Sequence, residues 1–434
     1  MANKVDLVLF GATGFTGLHC IPYLHKLTKE NGRNLTWAVA GRSKSRLEQI
    51  LKDIGNKIEA DLSSTPVIVA DINDYDSLLK MAQQAKVVLS CCGPYSLLGE
   101  GVVKACIASG AHYVDVTGEP EFMEKMQLEY HEEAVKKGVY AVSACGLDSI
   151  PSDLGVVYME QQFEGTLNSV EVYMKTWTEG SVKGPILNYG TWHTLVESLS
   201  NIETLKEIRA KLWKDKIPKF EPRLALKKLP HKPKDQSLEG WAVPFPGADP
   251  SVIRRTQRYL YEEEDRRPVQ ATVYFLLPNF LSVLAMGVFG VIFLLMCRFN
   301  FGRRLLKDYP EIFSFGMCSK KSPSEEMIEN TWFQLNLYGE GWKEKLADKN
   351  DQYTTPVNQR IAGKVKGRNP GYGATCIALI LSAITILTEK DKLAGNGKGG
   401  VYSPGATFFK TSLVKQLNEN KVTFEIIETQ AVAK

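Results

Sequence analysis

Several common features are missing from this chain, and each absence removes a class of protein. The cysteines (Cys20, Cys91, Cys92, Cys106, Cys145, Cys297, Cys318 and Cys376) include no CxxC pair and no Cys/His spacing of the zinc-binding kind. They read as reduced thiols, and no metal centre is expected. An excess of one charge is also missing, since 53 Lys and Arg stand against 49 Asp and Glu, a net +4 over 434 residues. That is far below the focused basic charge of a nucleic-acid binder, so no nucleic acid is expected as a partner. No secretory signal is expected, because the apolar run Val5 to Phe10 is too short for a signal core and passes directly into a glycine motif. There is no internal repeat.

What remains is a folded globular chain. A 44% hydrophobic share with 24% charged residues excludes disordered, collagenous and disulfide-stapled compositions. The length suits two or three domains of roughly 150 residues each. The first part alternates short apolar runs with helical spacing, the signature of a parallel sheet wound with helices. The runs are Asp6 to Phe10, Thr36 to Ala40, Val67 to Ala70, Val87 to Cys91, Tyr113 to Val116 and Val139 to Ala144. Helices are predicted over Arg46 to Ile54 and over Val102 to Ser109, the latter closed by Gly110 as a C-cap. Beyond Pro151 a second domain is expected, with a strand over Ser169 to Thr178 and one helix over Thr191 to Leu212. The Pro- and Lys-rich passage Ile217 to Pro250 reads as surface loop. Near the end, helices are predicted over Gly371 to Leu387 and Thr411 to Asn418, then a strand over Thr423 to Ile427.

The first strand runs into Gly11-Ala12-Thr13-Gly14-Phe15-Thr16-Gly17, which opens a helix. Such a turn needs residues tolerant of positive φ, and missing side chains let backbone N–H groups approach a pyrophosphate at the positive end of a helix. The spacing is GxxGxxG, and its strand-to-helix context carries more than the glycines do. After the second strand comes Gly41-Arg42-Ser43, near where an NAD-binding protein places an acid for the ribose 2′-hydroxyl. The Arg42 guanidinium, with Ser43 beside it, suits a 2′-phosphate, so NADP(H) is expected in preference to NAD(H). Asp71 would either bond the adenine side of the site or cap the next helix. Gly93 and Pro94, at the end of the fourth strand, would shape the loop against the nicotinamide half.

These motifs, together with Cys92-Gly93-Pro94-Tyr95, Tyr113-Val114-Asp115-Val116-Thr117-Gly118-Glu119 and Cys145-Gly146-Leu147-Asp148-Ser149-Ile150-Pro151, give a chain that resembles the saccharopine dehydrogenase-like oxidoreductases. The resemblance continues through Asn369-Pro370-Gly371-Tyr372 and Gly399-Gly400-Val401-Tyr402. It implies an α/β fold: a Rossmann-type doubly wound parallel sheet (1–147), an inserted α+β mixed-sheet domain (148–370), and C-terminal helices with a strand returning to the Rossmann domain (371–434). It fixes no substrate. Bacterial relatives described as trans-acting enoyl reductases act on lipid chains.

Three residues are candidates for proton transfer. Glu119 follows Asp115 and Thr117 at a strand end, against the alternative of a helix start at Glu119-Pro120-Glu121. Asp148 would face the nicotinamide or cap the helix opening at Pro151. Tyr95 would act there or simply pack. No Tyr-x-x-x-Lys pair occurs, which removes the acid that short-chain dehydrogenases use.

Finally, no charged residue lies between Arg267 and Arg298, and Phe280 to Met296 is of membrane-grade hydrophobicity. As a helix, 279–297 would rise about 28 Å, close to the ~30 Å hydrocarbon core of a bilayer. A full span would separate the two halves of the chain. The expectation is therefore a one-sided insertion into a membrane or lipid monolayer, with Arg298, Arg303, Arg304 and Lys307 at anionic headgroups, against the alternative of a core or homodimer helix. The expected function is an NADP(H)-dependent oxidoreductase for a hydrophobic or lipid-linked small molecule, on the cytosolic face of lipid droplets or organelle membranes. The alternative is a catalytically silent nucleotide-binding scaffold or sensor at lipid surfaces.

Overall fold

The computed structural model describes residues 4–431 apart from 201, 226, 236, 346 and 347. The first half-chain alternates β1 (Val5–Phe10), α1 (Phe15–Leu27), β2 (Trp37–Gly41), α2 (Lys44–Lys57), β3 (Val67–Val69), α3 (Tyr75–Gln83), β4 (Ala85–Ser90), α4 (Tyr95–Ser109), β5 (His112–Asp115), α5 (Pro120–Lys137), β6 (Tyr140–Val142) and α6 (Ile150–Gln162). Gly110 ends α4 at φ of +73°, the left-handed C-cap its sequence predicts.

An inserted domain follows. It holds β7 (Thr166–Thr178), β8 (Leu187–Asn188), α7 (Tyr189–Ser200), α8 (Ile202–Leu212), β9 (Trp241–Pro244), α9 (Asp249–Glu263) and β10 (Gln270–Leu277). Next come the apolar helix α10 (Phe280–Cys297), α11 (Asn300–Asp308), α12 (Pro310–Phe313), β11 (Cys318–Ser319), α13 (Glu325–Asn330), β12 (Thr331–Trp342) and β13 (Gln359–Arg368). The chain closes with α14 (Thr375–Thr388), β14 (Gly400–Tyr402), α15 (Pro404–Phe408), α16 (Leu413–Glu419) and β15 (Thr423–Ala431).

The strands form a parallel Rossmann sheet in the order β14-β6-β5-β4-β1-β2-β3 and a mixed sheet in the order β15-β13-β12-β7-β10-β9. The single helix expected over Thr191 to Leu212 is two helices, with residue 201 outside the described residues. The passage expected to be all loop contains β9, whose Ala242 is fully buried at the edge of the mixed sheet. The C-terminal return also divides. Although β14 joins the Rossmann sheet, β15 pairs antiparallel with β13, so the last strand belongs to the inserted domain's sheet.

Alternate residues of β1 serve opposite faces, as the pleat requires. Leu7 and Leu9 pack in one core with α1, α2 and α14, and Val8 and Phe10 in another with α3, α4 and α5. On the first face α14 is buried almost all round, with Leu379, Ile380, Ala383 and Ile384 fully covered. Replacing Leu379 by Ala should therefore cost about 2–5 kcal/mol, read as a lower urea midpoint at an unchanged slope.

Candidate functional site

Six helices, α1 to α6, begin at the carboxyl edge of the parallel sheet; α2, α3 and α4 have a side-chain acceptor at the N-terminus, and α5 and α6, which have no cap bond, carry Glu121 and Asp153 in their first turns. Ser43 caps α2 by accepting the Arg46 N–H at 3.4 Å, and Asp74 caps α3 by accepting from Asp76 and Ser77. The carboxylate of Glu119 accepts the Tyr95 and Ser96 N–H groups of α4 at 2.7 and 2.9 Å. Helix α1 differs. Its N-cap is the exposed Gly14, its first turn holds no acid, and among the described residues no side chain caps it. First-turn N–H groups without a protein acceptor, at the positive end of a helix, form an anion site.

The glycines keep that end open. Gly11 has φ of +84°, and a Cβ there would lie 2.6 Å from Cys92 Sγ. A Cβ on Gly17 would fall 2.3 Å from the Gly11 carbonyl oxygen, so only glycine lets α1 start this close to β1. Thr13 and Thr16 lie in this turn. The Phe15 ring leaves it and packs edge-on against Tyr372, at 4.6 Å between centroids. Arg42 is exposed after β2 and, among the described residues, makes no hydrogen bond or ion pair. A pyrophosphate at α1 and a 2′-phosphate at Arg42 therefore fit the groups that are free.

Asp71 does not cap α3, whose cap is Asp74. Its Oδ1 instead accepts the Asn73 N–H at 3.0 Å in a local turn, which corrects the cap expectation. Gly93 and Pro94 form the loop after β4, and Thr194 Oγ1 of α7 lies 3.9 Å from the point a Gly93 Cβ would occupy. The inserted domain thus borders the Gly93–Pro94 loop at the carboxyl edge. Arg209 of α8 anchors this cover with two 2.8 Å bonds to the fully buried Glu124 of α5.

The three proton-transfer candidates separate clearly. The Tyr95 hydroxyl donates to the Ser90 carbonyl at 2.9 Å, and burial pushes its pKa well up. Glu119 is buried, its carboxylate accepts at the N-terminus of α4, and it stands at the N-cap position of α5, the helix start given as its alternative reading. Asp148 does not cap α6, whose N-cap Ser149 makes no side-chain cap bond. Its carboxylate lies against two glycines: a Cβ on Gly118 would be 2.4 Å from Oδ2, and one on Gly247 would be 2.6 Å from Oδ1. Burial, then the charge of Asp249, push the Asp148 pKa well above the carboxylate range. Asp249, fully buried at the start of α9, is pushed by burial up to about 7. The pair thus holds a proton near neutrality. Asp249 and Thr194 were not found from sequence, although Asp249-Pro250 carries a helix-start signature within the passage expected to be loop.

Two more buried carboxyls brace the edge. Asp115 accepts from the N–H groups of Thr117 and Ala144 and from Ser143 Oγ, tying the loops after β5 and β6. Burial raises its pKa to about 6. Asp153 accepts from Thr256 Oγ1 at 2.8 Å and Gly405 N at 2.6 Å, and burial raises it to about 7.

Residues 7–142 match the family described as the saccharopine dehydrogenase NADP binding domain. The chain is 39% identical over 431 residues to the human saccharopine dehydrogenase-like oxidoreductase, covering 98% of each. It is 37% identical over 426 residues to a Caenorhabditis elegans lipid droplet localized protein, again covering 98% of each. Its fold is similar to that of saccharopine dehydrogenase (L-Glu forming) from Saccharomyces cerevisiae, with a TM-score of 0.52 at 14% identity over 99% of this chain and 100% of that one.

The raised carboxyls predict a pH dependence. Folded values of about 6 for Asp115 and about 7 for Asp153 and Asp249 exceed the unfolded value of ~3.9. The folded state therefore binds more protons between those limits, and stability is full below the unfolded pKa and falls as pH rises through 6 to 7. The urea midpoint should drop from pH 5 to pH 8, and Asp153→Asn, which keeps the acceptor for Thr256 and Gly405, should flatten that drop.

Proposed function

The chain is an NADP-binding member of the saccharopine dehydrogenase-like oxidoreductases, and from that membership we propose that it reduces or oxidises a hydrophobic, lipid-linked substrate at the cytosolic face of a lipid droplet or organelle membrane. The observation that carries the location is the exposure of α10. With a mean hydropathy of 2.6 it is only 11% buried, whereas the apolar helix Pro370–Thr388 is 78% buried in the core. Leu281, Leu284, Val288, Val291 and Leu295 all face outward, 52–75% exposed. A core helix would hide them. A spanning helix would place β12, β13 and α14 across a membrane from the sheets they complete, so both ends of α10 must return to one side. The name of the nematode relative supports a lipid droplet as that surface.

NADP(H) supplies or accepts the hydride. The residues of this chain hold and orient it: the open turn at Gly11, Thr13, Gly14, Phe15, Thr16 and Gly17 takes the pyrophosphate, Arg42 and Ser43 the 2′-phosphate, Asp71 the adenine side, and Gly93 and Pro94 the nicotinamide side. Asp148, backed by Asp249, would give its proton to the carbonyl oxygen when the carbonyl carbon takes the hydride, or to the α-carbon of an enal when the β-carbon takes it. One observation favours the non-catalytic scaffold instead, namely that Tyr95 and Glu119 are both consumed by structural bonds.

Two measurements test the reading. In a nicotinamide fluorescence titration NADPH should bind more tightly than NADH, and Arg42→Ala should erase that preference, a loss of roughly 10- to 100-fold for a charge-assisted phosphate contact. In vesicle flotation the wild-type chain should rise with phosphatidylcholine vesicles and the double variant Leu284→Asp/Val288→Asp should not.

A further inference from the structure

Beside the apolar helix lies a cavity of about 430 Å³ lined by Glu197, Asn300, Arg303, Arg304, Lys307 and Asp308. Its position is fixed by one contact. A Cβ on Gly302 would fall 2.3 Å from the Met296 carbonyl oxygen, so α11 turns back directly against the end of α10. The buried side of α11 is Gly302 and Leu306, and Leu306 is tied down by Trp192, whose indole N–H donates to its carbonyl at 2.8 Å. That register turns Arg303, Arg304 and Lys307 into the cavity.

Exposed apolar side chains stand on α11, which carries most of the cavity residues, and on the segment that follows it. Phe301 is 73% exposed, Ile312 67% and Phe315 75%, and the Phe315 ring lies 5.7 Å from Phe289 of α10. The cations are only partly neutralised. Lys307 pairs with the buried Glu197, and Arg304 reaches Asp308 at 3.5 Å with a side chain 83% exposed. Among the described residues, Arg303 donates only to the Asn300 side chain. Two guanidinium groups thus keep most of their donors for an incoming anion, and their planar forks match the oxygens of a phosphate. Glu197 and Asp308 are each already paired with a cation of the cluster, Lys307 and Arg304 respectively.

From these features we infer that the cavity is a binding site for the phosphate headgroup of an anionic phospholipid. The acyl chains would continue along α10, Phe301 and Phe315. This occupant rests on the proposed seating of α10 in a lipid surface, and it adds a specific headgroup contact to that seating. A free phosphate would leave the flanking rings in water, so the lipid is the source the site fits.

The test is flotation of the full chain, with NADPH, on vesicles of phosphatidylcholine alone and of phosphatidylcholine with phosphatidylserine. Three variants are compared: Leu284→Asp/Val288→Asp, Arg303→Gln/Arg304→Gln, and Arg298→Gln, a cation at the same end of α10 that does not line the cavity. Nonspecific attraction is worth roughly fivefold in affinity per surface cation. Arg298→Gln should stay within that loss on the anionic vesicles. The Arg303/Arg304 variant should lose well over ~25-fold there, the two-cation nonspecific limit, and should keep its binding to neutral vesicles. Equal binding of the wild-type chain to both vesicles, or a loss in the double variant no greater than two generic cations, would overturn the headgroup site while leaving the lipid-surface reading intact. Failure of the wild-type chain to float with either vesicle would overturn both.

Discussion

A parallel sheet must be covered on both faces, and here one face is covered by a helix from the far end of the chain. Helix α14 lies against β4, β5 and α1, with Cys376 Sγ 3.0 Å from Cys20 Sγ of α1 and the Thr375 hydroxyl accepting the Leu147 N–H at 3.1 Å. Exposing Leu7, Leu9 and the rest of that core would forfeit about 25 cal/mol for every Å² of apolar surface returned to water. The nucleotide domain therefore cannot be completed until the whole insert has been traversed and the chain has come back. This single requirement decides how the apolar segment behaves. Because residues beyond α10 rejoin sheets begun before it, a bilayer-crossing α10 would part those sheets.

The local parts of this arrangement were legible in the sequence. The six N-terminal strands stood out as short apolar runs, and Gly110 marked its helix end through the left-handed conformation it supplies. The glycine turn with Arg42 pointed to the cofactor that the matching family binds. Features that depend on chain-distant partners were not legible. β14 is three residues of ordinary composition that become a strand only beside β6. β9 sits in a Pro- and Lys-rich passage and earns its strand from pairing with β10. Glu119 sits at the start of one helix and neutralises the end of another, and no spacing rule reports a cap supplied across elements. Asp148 was visible, but its environment comes from Gly247 and Asp249, which only the fold brings to it.

The attachment of α10 joins these themes. An exposed apolar helix could hang from any loop. This one is sewn to the protein along a narrow seam, with Phe293 and Cys297 as its buried residues and the Phe293 ring edge-on to Trp192 at 5.2 Å. Trp192 belongs to α7, and two residues further along the same helix Thr194 lies against Gly93. His193, between them, reaches Glu197 at 3.4 Å, the acid that also pairs with Lys307 of α11. The exposed apolar helix and the Gly93 loop at the carboxyl edge of the sheet therefore share one helix of about three turns. In the proposed seating of α10 in a lipid surface, α7 would link that seating to the Thr194–Gly93 contact at the carboxyl edge.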